Sequence, residues 1–161
     1  MLDWLAVIIA IAALVFSILQ FFCERNRNRK EATIHAFDQL EGSPFILTLF
    51  SVSKSTIDNY VKDKEDNGYV SGIEWDEINR ALPLLEHFAV GINNKIYDIA
   101  VLNAMAGNKL IAVYFSCETL ISHKREGEGN EKNYCEFEKM TNKLIEYRKK
   151  KKQSMSYIFK I

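Results

Sequence analysis

The strongest constraint on this chain is its opening stretch, MLDWLAVIIAIAALVFSILQFFCE, residues 1–24. Between Leu2 and Cys23 the only charge is Asp3, and most of the other side chains are apolar. About 20 apolar residues wound into a helix cross the roughly 30 Å hydrocarbon core of a bilayer. A cleavable signal peptide carries positive charge before its apolar run and small residues at a cleavage site after it. Here Asp3 comes first, the run closes on Phe21-Phe22-Cys23, and Arg25, Arg27, Arg29 and Lys30 follow. The stretch therefore reads as an uncleaved, single-pass transmembrane helix. Basic flanks stay in the cytoplasm, which puts the N-terminus outside and residues 25–161 inside the cell.

The order of residues within the run carries more information. Asp3, Ala6, Ala10, Ala13, Ser17, Gln20 and Glu24 follow one another at alternating steps of three and four. Of the small or polar residues in the run, only Ala12 and Cys23 fall off that line, and no large apolar side chain falls on it. Lipid contacts every face of a lone anchor alike and asks for no such sorting. Small residues on one stripe let helices approach closely, and polar ones there can bond to each other. A 3.5-residue period also matches the left-handed supercoil of packed helices. The stripe predicts self-association around a common axis. Two to four helices about 10 Å wide would close it into a dry interface, whereas roughly six or more would leave a lumen. That lumen would be lined by the seven stripe residues, and the ring of six or more is the arrangement favoured here.

With 161 residues, the chain has room for one small domain after the membrane helix. Two prolines and seven glycines favour helices over an all-β fold. The net charge is zero, so no global charge points to nucleic acid. Cys23, Cys117 and Cys135 are odd in number, never spaced C-x-x-C, and are expected to be buried free thiols in a reducing compartment. The first helix should run on to Glu41, because neither Pro nor Gly interrupts it before Gly42-Ser43-Pro44. Its extension has an apolar face of Thr33, Ala36, Phe37 and Leu40, roughly opposite the stripe. Residues 45–62 read as one helix, weakened around Val52, with KDKEDNG (62–68) as a loop. Ser71 with Glu74 has the capping-box spacing and opens a helix over Ile73–Asn93, kinked or restarted at Pro83. Asp98 caps a helix to Ala106, and Gly107-Asn108 interrupts or ends it. Residues 109–123 form the central core helix, short for a membrane span. Residues 124–133 form a loop, and the last helix runs from Tyr134 to about Lys152. The fold class is all-α: a transmembrane helix, residues 1–24, continuing into a cytoplasmic helical bundle, residues 25–161.

Chemistry is sparsely signalled. There is no phosphate-binding Gly-rich loop, no nucleophile elbow, and no Cys/His cluster for a metal; no cofactor and no small-molecule substrate are expected. Two Arg…His pairs, Arg29 with His35 and Arg80 with His87, are spaced somewhat like the pair that HEPN ribonucleases use to hold a phosphate and move a proton. On a helix the first pair diverges, while the second lies nearly in line and could face one cleft. His87, beside Glu86, also reads as a partly buried, hydrogen-bonded residue. Arg148, Lys149, Lys150, Lys151 and Lys152 form one dense basic run. It suits anionic lipid or RNA, or a solvated helix end whose cations match the helix dipole.

The anchor, the R-A-L-P-L-L-E-H segment at 80–87 within LPLLEHFAVGINNKIYD, and the basic last helix together resemble a known group. It is the membrane-anchored accessory protein of type VI-B CRISPR RNA-targeting systems, whose cytoplasmic part is a divergent HEPN domain. The resemblance implies a multimeric pore in the bacterial inner membrane that strengthens RNA-triggered antiviral defence by depolarising the membrane, with RNA or an RNA-guided nuclease as expected partners. It also implies a HEPN-like bundle in which Arg80 and His87 are the pair carried over. Pro83 and the wide spacing between them fit a scaffold that has lost the chemistry; the alternatives to a pore are a membrane-tethered HEPN-type ribonuclease using Arg80 and His87, and a tethered scaffold with neither activity.

Overall fold

A computed structural model describes residues 2–67, 73–127 and 130–153. Among these residues every regular element is a helix and there is no strand: α1 (Leu2–Glu41), α2 (Pro44–Ser51), α3 (Lys54–Asn67), α4 (Ile73–Asn93), α5 (Ile99–Gly127) and α6 (Cys135–Lys150). The fold is the expected one, a long N-terminal helix followed by a helical bundle.

The first helix is a single rod of 40 residues, about 60 Å long at 1.5 Å per residue. Its two halves live in different surroundings. Every described side chain from Ala6 to Asn28 is exposed, and the apolar stretch there has none of its length buried. This half is long and apolar enough to cross a membrane. From Arg29 onward the helix joins the bundle: Thr33 and Phe37 are fully buried, and Ala36 and Leu40 pack against the core. The face expected to meet the bundle is the face that does. The helix stops where Gly42-Ser43-Pro44 requires, with Gly42 N–H donating to Asp38 O at 2.9 Å.

Two helices form the centre of the bundle. On α4, Ile78, Ala81, Leu82, Leu85, Phe88, Ala89 and Ile92 recur at steps of three and four and are all buried, the pattern of a core-facing stripe. On α5, Leu102, Ala106, Leu110, Ile111, Tyr114, Cys117, Leu120 and Ile121 do the same. The α4 helix packs on α2 and α6, and α5 packs on α3 and α6. By length and composition α5 also passes as a membrane span, but 44% of its most apolar window is buried inside the bundle. Its burial makes it a core helix, as expected for residues 109–123, although it runs to 29 residues and is not short for a span.

Several sequence expectations are corrected. Residues 45–62 are two helices rather than one. Val52 is extended (φ −75°, ψ 135°), and the Ser53 hydroxyl accepts the Thr56 N–H at 3.2 Å, capping α3 and so setting the break. Residues 62–67, expected to be a loop, are the solvated end of α3. Likewise Lys124–Gly127 continue α5. Helix α4 keeps its expected bounds and runs through Pro83 without restarting; the ring sits on the exposed side. Gly68 and Ser71 lie outside the described residues, as does the side chain of Glu74. In α5 the irregularity falls on Ala106 (φ −146°, ψ 16°), one residue ahead of Gly107, and helix resumes beyond it.

Candidate functional site

Of the stripe, Ala6, Ala10, Ala13, Ser17, Gln20 and Glu24 are exposed along the free half of α1; the side chain of Asp3 is outside the described residues. No part of the bundle covers them. The Ser17 hydroxyl donates to Ala13 O at 2.8 Å, so a hydroxyl in the apolar half is satisfied within its own helix.

Where the free half ends, the rod is fastened to the bundle. Arg29 Nη2 meets Asp98 Oδ2 at 2.5 Å. Thr33 Oγ1 donates to Arg29 O at 2.7 Å and accepts the Asp98 N–H at 2.7 Å. Asp98 also caps α5, its Oδ1 accepting the N–H groups of Ala100 (2.9 Å) and Val101 (3.2 Å). Burial pushes the Asp98 carboxyl upward. The hydrogen bonds from Arg29, Val101 and Ala100 outweigh that and hold it below its usual value. One carboxylate thus starts α5 and holds α1. The cap was legible from sequence, but the ion pair, bridging 69 positions, was not.

The Arg…His pairs are not assembled into a cleft. Arg29 is spent on Asp98, while His35 is exposed on another face of α1. Arg80 lies over the Phe45 ring, 5.5 Å from its centroid. His87 is exposed rather than partly buried, and it lines shallow grooves beside Tyr97 and beside Tyr134 that do not include Arg80. Seven residues of helix also separate the two by about 10 Å of rise. The neighbouring Glu86 has a clear structural task. Its carboxylate accepts the N–H groups of Glu136 (3.0 Å) and Phe137 (2.7 Å). Those are orphan donors in the first turn of α6, whose own boundary residue, Tyr134, gives no side-chain cap.

The basic run is divided. Lys149, Lys150, Lys151 and Lys152 are exposed, but Arg148 turns inward and is buried. Its Nη1 donates to Asn103 Oδ1 at 3.0 Å, and Asn103 Nδ2 donates to Gln153 Oε1 at 2.9 Å. Gly107 makes room for this group, since a Cβ there would come within 2.5 Å of Asn103 Oδ1. The chain returns to Asn103 through a C-terminal αL turn. Lys152 (φ 52°) donates to Lys149 O, and Gln153 donates to Arg148 O, the Schellman pattern. A groove of about 560 Å³ opens beside the α5 irregularity, lined among others by Asn103, Asn108, Lys109, Ser116 and Arg148. Lys109 is engaged there by Glu41 at 3.0 Å and by the Phe50 ring. No paired acid and base faces this groove. Among the described residues no His/Cys/Asp/Glu group is placed to hold a metal.

The thiols differ from one another: Cys117 is buried, Cys135 half-buried and Cys23 exposed. Burial pushes the Cys117 thiol up to about 12.

No curated protein and no solved structure matches the chain. A family model, described as Domain of unknown function (DUF4760), matches residues 7–144. That span takes in the apolar half of α1 together with the bundle up to α6. The chain belongs to the DUF4760 family.

Proposed function

We propose that the protein is a single-pass membrane effector whose copies gather through the α1 stripe, six or more to a ring, and open a pore in the bacterial inner membrane. The observation that carries this is the unbroken course of α1. Its apolar half stands clear of the bundle with small and polar residues on one line. Its other half is fixed in the bundle by Thr33, Phe37 and the Arg29–Asp98 pair. In this reading the N-terminus is outside and the bundle is cytoplasmic, as the basic flank requires. Asp3, Ala6, Ala10, Ala13, Ser17, Gln20 and Glu24 line the axis. The role in defence follows the resemblance to the type VI-B accessory proteins: the ring strengthens RNA-triggered antiviral defence by dissipating the membrane potential, with RNA or an RNA-guided nuclease as its partner. Lys149–Lys152 offer a cationic surface for anionic lipid or RNA. The role needs no catalysis, and the separation of Arg80 from His87 is consistent with a HEPN-like scaffold without nuclease chemistry.

The test is a tryptophan comparison in cells carrying a potential-sensitive dye. Ala10→Trp and Ala13→Trp should abolish depolarisation, whereas Ile11→Trp and Leu14→Trp should leave it. Particle symmetry in detergent should show six or more copies. Equal effects at the two pairs of positions, or a monomeric particle, would remove the axial assignment.

A further inference from the structure

Where the apolar half of α1 meets the bundle there is a groove of about 240 Å³, lined by Phe22, Arg25, Asn26, Arg29 and Lys95. Arg25 and Arg29 lie one turn apart on the same face of α1. Lys95 comes to them from the α4–α5 turn. Arg29 is held by Asp98, while Arg25 and Lys95 make no ion pair among the described residues.

The height of this groove follows from the rod. From Trp4 to Phe22 the apolar half rises about 28 Å, close to the roughly 30 Å of bilayer hydrocarbon. Phe21 and Phe22 then fall at the inner boundary of the hydrocarbon, the last large apolar side chains before the basic flank. Arg25 lies about 4.5 Å further along the axis and Arg29 about 10 Å. The polar headgroup layer is about 5–8 Å thick on each side. Arg25 therefore lies at the depth of the lipid phosphates, and Arg29, on a helix whose side chains lean back toward its N-terminus, lies at the cytoplasmic edge of that layer in the groove it shares with Arg25 and Lys95.

The turn that supplies Lys95 is built at a conformational cost. Asn94 N–H donates to Val90 O, Lys95 N–H to Ile92 O and Ile96 N–H to Gly91 O, closing α4 as a Schellman motif. The αL position of that motif favours glycine, yet Lys95 occupies it at φ 61°. The residue after it usually packs its apolar side chain back on the helix. Here the helix position it would cover is Gly91, on which the Tyr97 ring sits. Ile96 is left outside, 59% exposed. A lysine in a strained conformation with an exposed isoleucine beside it suits a turn that rests on a membrane surface, cation to phosphate and apolar side chain into the interface.

We propose that Arg25, Arg29 and Lys95, with Ile96 beside them, form a site for the phosphate of an anionic phospholipid in the inner leaflet of the bilayer that α1 crosses. The proposal rests on the spanning reading of α1 and is independent of copy number and of any pore. It makes the α4–α5 turn a second membrane contact, fixing the bundle against the surface through the residues next to the Arg29–Asp98 fastening.

The test is native mass spectrometry of the full-length protein, released from nanodiscs containing phosphatidylglycerol or phosphatidylcholine. Each cation near an anionic surface contributes about 1 kcal/mol, so Arg25→Gln and Lys95→Gln should each lower phosphatidylglycerol retention about fivefold. Arg27→Gln, on the opposite face of α1 and paired with Glu31 at 3.5 Å, should leave it unchanged. Equal retention of the two lipids, or equal loss with Arg27→Gln, overturns the site. Displacement of phosphatidylglycerol by millimolar inorganic phosphate would mark a free-phosphate site and overturn the lipid assignment. Carbonate washing of membranes separates the two readings. Protein in the supernatant overturns the spanning reading and the site with it. Protein in the pellet without lipid selectivity overturns the site alone.

Discussion

Asp98 carries four hydrogen bonds, to Arg29, Thr33, Ala100 and Val101, and stability measurements can divide the cap from the ion pair. Asp98→Ala removes the α5 cap, a loss of about 1 kcal/mol. It also removes the partner of Arg29. That pair is short, but Arg29 is 37% exposed, so its share is discounted to about 0.5–1 kcal/mol. The N–H of residue 98 still donates to Thr33, so that bond survives. The expected loss is about 1.5–2 kcal/mol in total, or about 5–8 °C in Tm. Asp98→Asn keeps a cap and should lose roughly half as much. Unfolding is followed through Trp75, which is buried and packed edge-to-face against Tyr60, with Trp4→Phe removing the other indole. The pH dependence has a definite sign. The folded carboxyl titrates below the usual 3.8, so at low pH the unfolded chain takes up the proton first. The Asp98 contribution is then complete above about pH 5 and fades as pH falls below about 4 through the lowered folded value. The gap between wild type and Asp98→Asn should close over that window. Variants within about 0.5 kcal/mol of wild type, or a gap that ignores pH, would refute the assignment of Asp98 as the fastening residue.

Three further outcomes are expected elsewhere in the bundle. Gly107→Ala gains about 1 kcal/mol of helix propensity but displaces Asn103 from Arg148, a charge-assisted bond worth about 1.5–3 kcal/mol, so urea unfolding should show a net loss near 1 kcal/mol. Lys152→Gly relieves the αL position that ends α6 and should stabilise by about 1 kcal/mol in the same assay. With a thiol reagent followed by mass spectrometry, Cys117, buried with its thiol at about 12, should be modified last and at the rate of unfolding, well after Cys135.

How far the sequence could be read depended on the distance over which each feature is decided. The course of α1 to Glu41, the bounds of α4 and the Asp98 cap rest on neighbours within a turn, and the residues concerned name their own roles. The free and packed halves of α1 were legible because hydropathy changes abruptly at Arg25 and the apolar face reappears at Thr33. Charged segments such as KDKEDN were misread because a solvated helical face and a loop have the same composition. Tertiary bonds left no local signal. Arg148 sits at the head of four lysines and looks like the fifth member of a patch, yet Asn103, 45 positions earlier, draws it inside. Glu86 caps a helix 50 positions away. The small glycine at 107 was the only hint that something polar needed room there.

The continuity of α1 makes the two halves of the protein one mechanical element, and this can be cut. A helix without a hinge transmits rotation, so turning the stripe about its axis also turns Arg29, Thr33 and Phe37 against α5 and α4. Asn26 lies between the last apolar residues and the first bundle contact. A proline there loses its N–H bond to Phe22 O and clashes with that carbonyl, at about 3 kcal/mol. The loss falls outside the bundle, so Asn26→Pro should leave the Trp75 unfolding transition of the bundle in place. Under the pore reading it should nevertheless uncouple the bundle from the ring. Copies would still assemble through the stripe, seen as an unchanged particle in detergent, while depolarisation in cells would no longer respond to the bundle. Full activity in Asn26→Pro would mean that α1 serves only as a tether, and that whatever the bundle does reaches the membrane by another route.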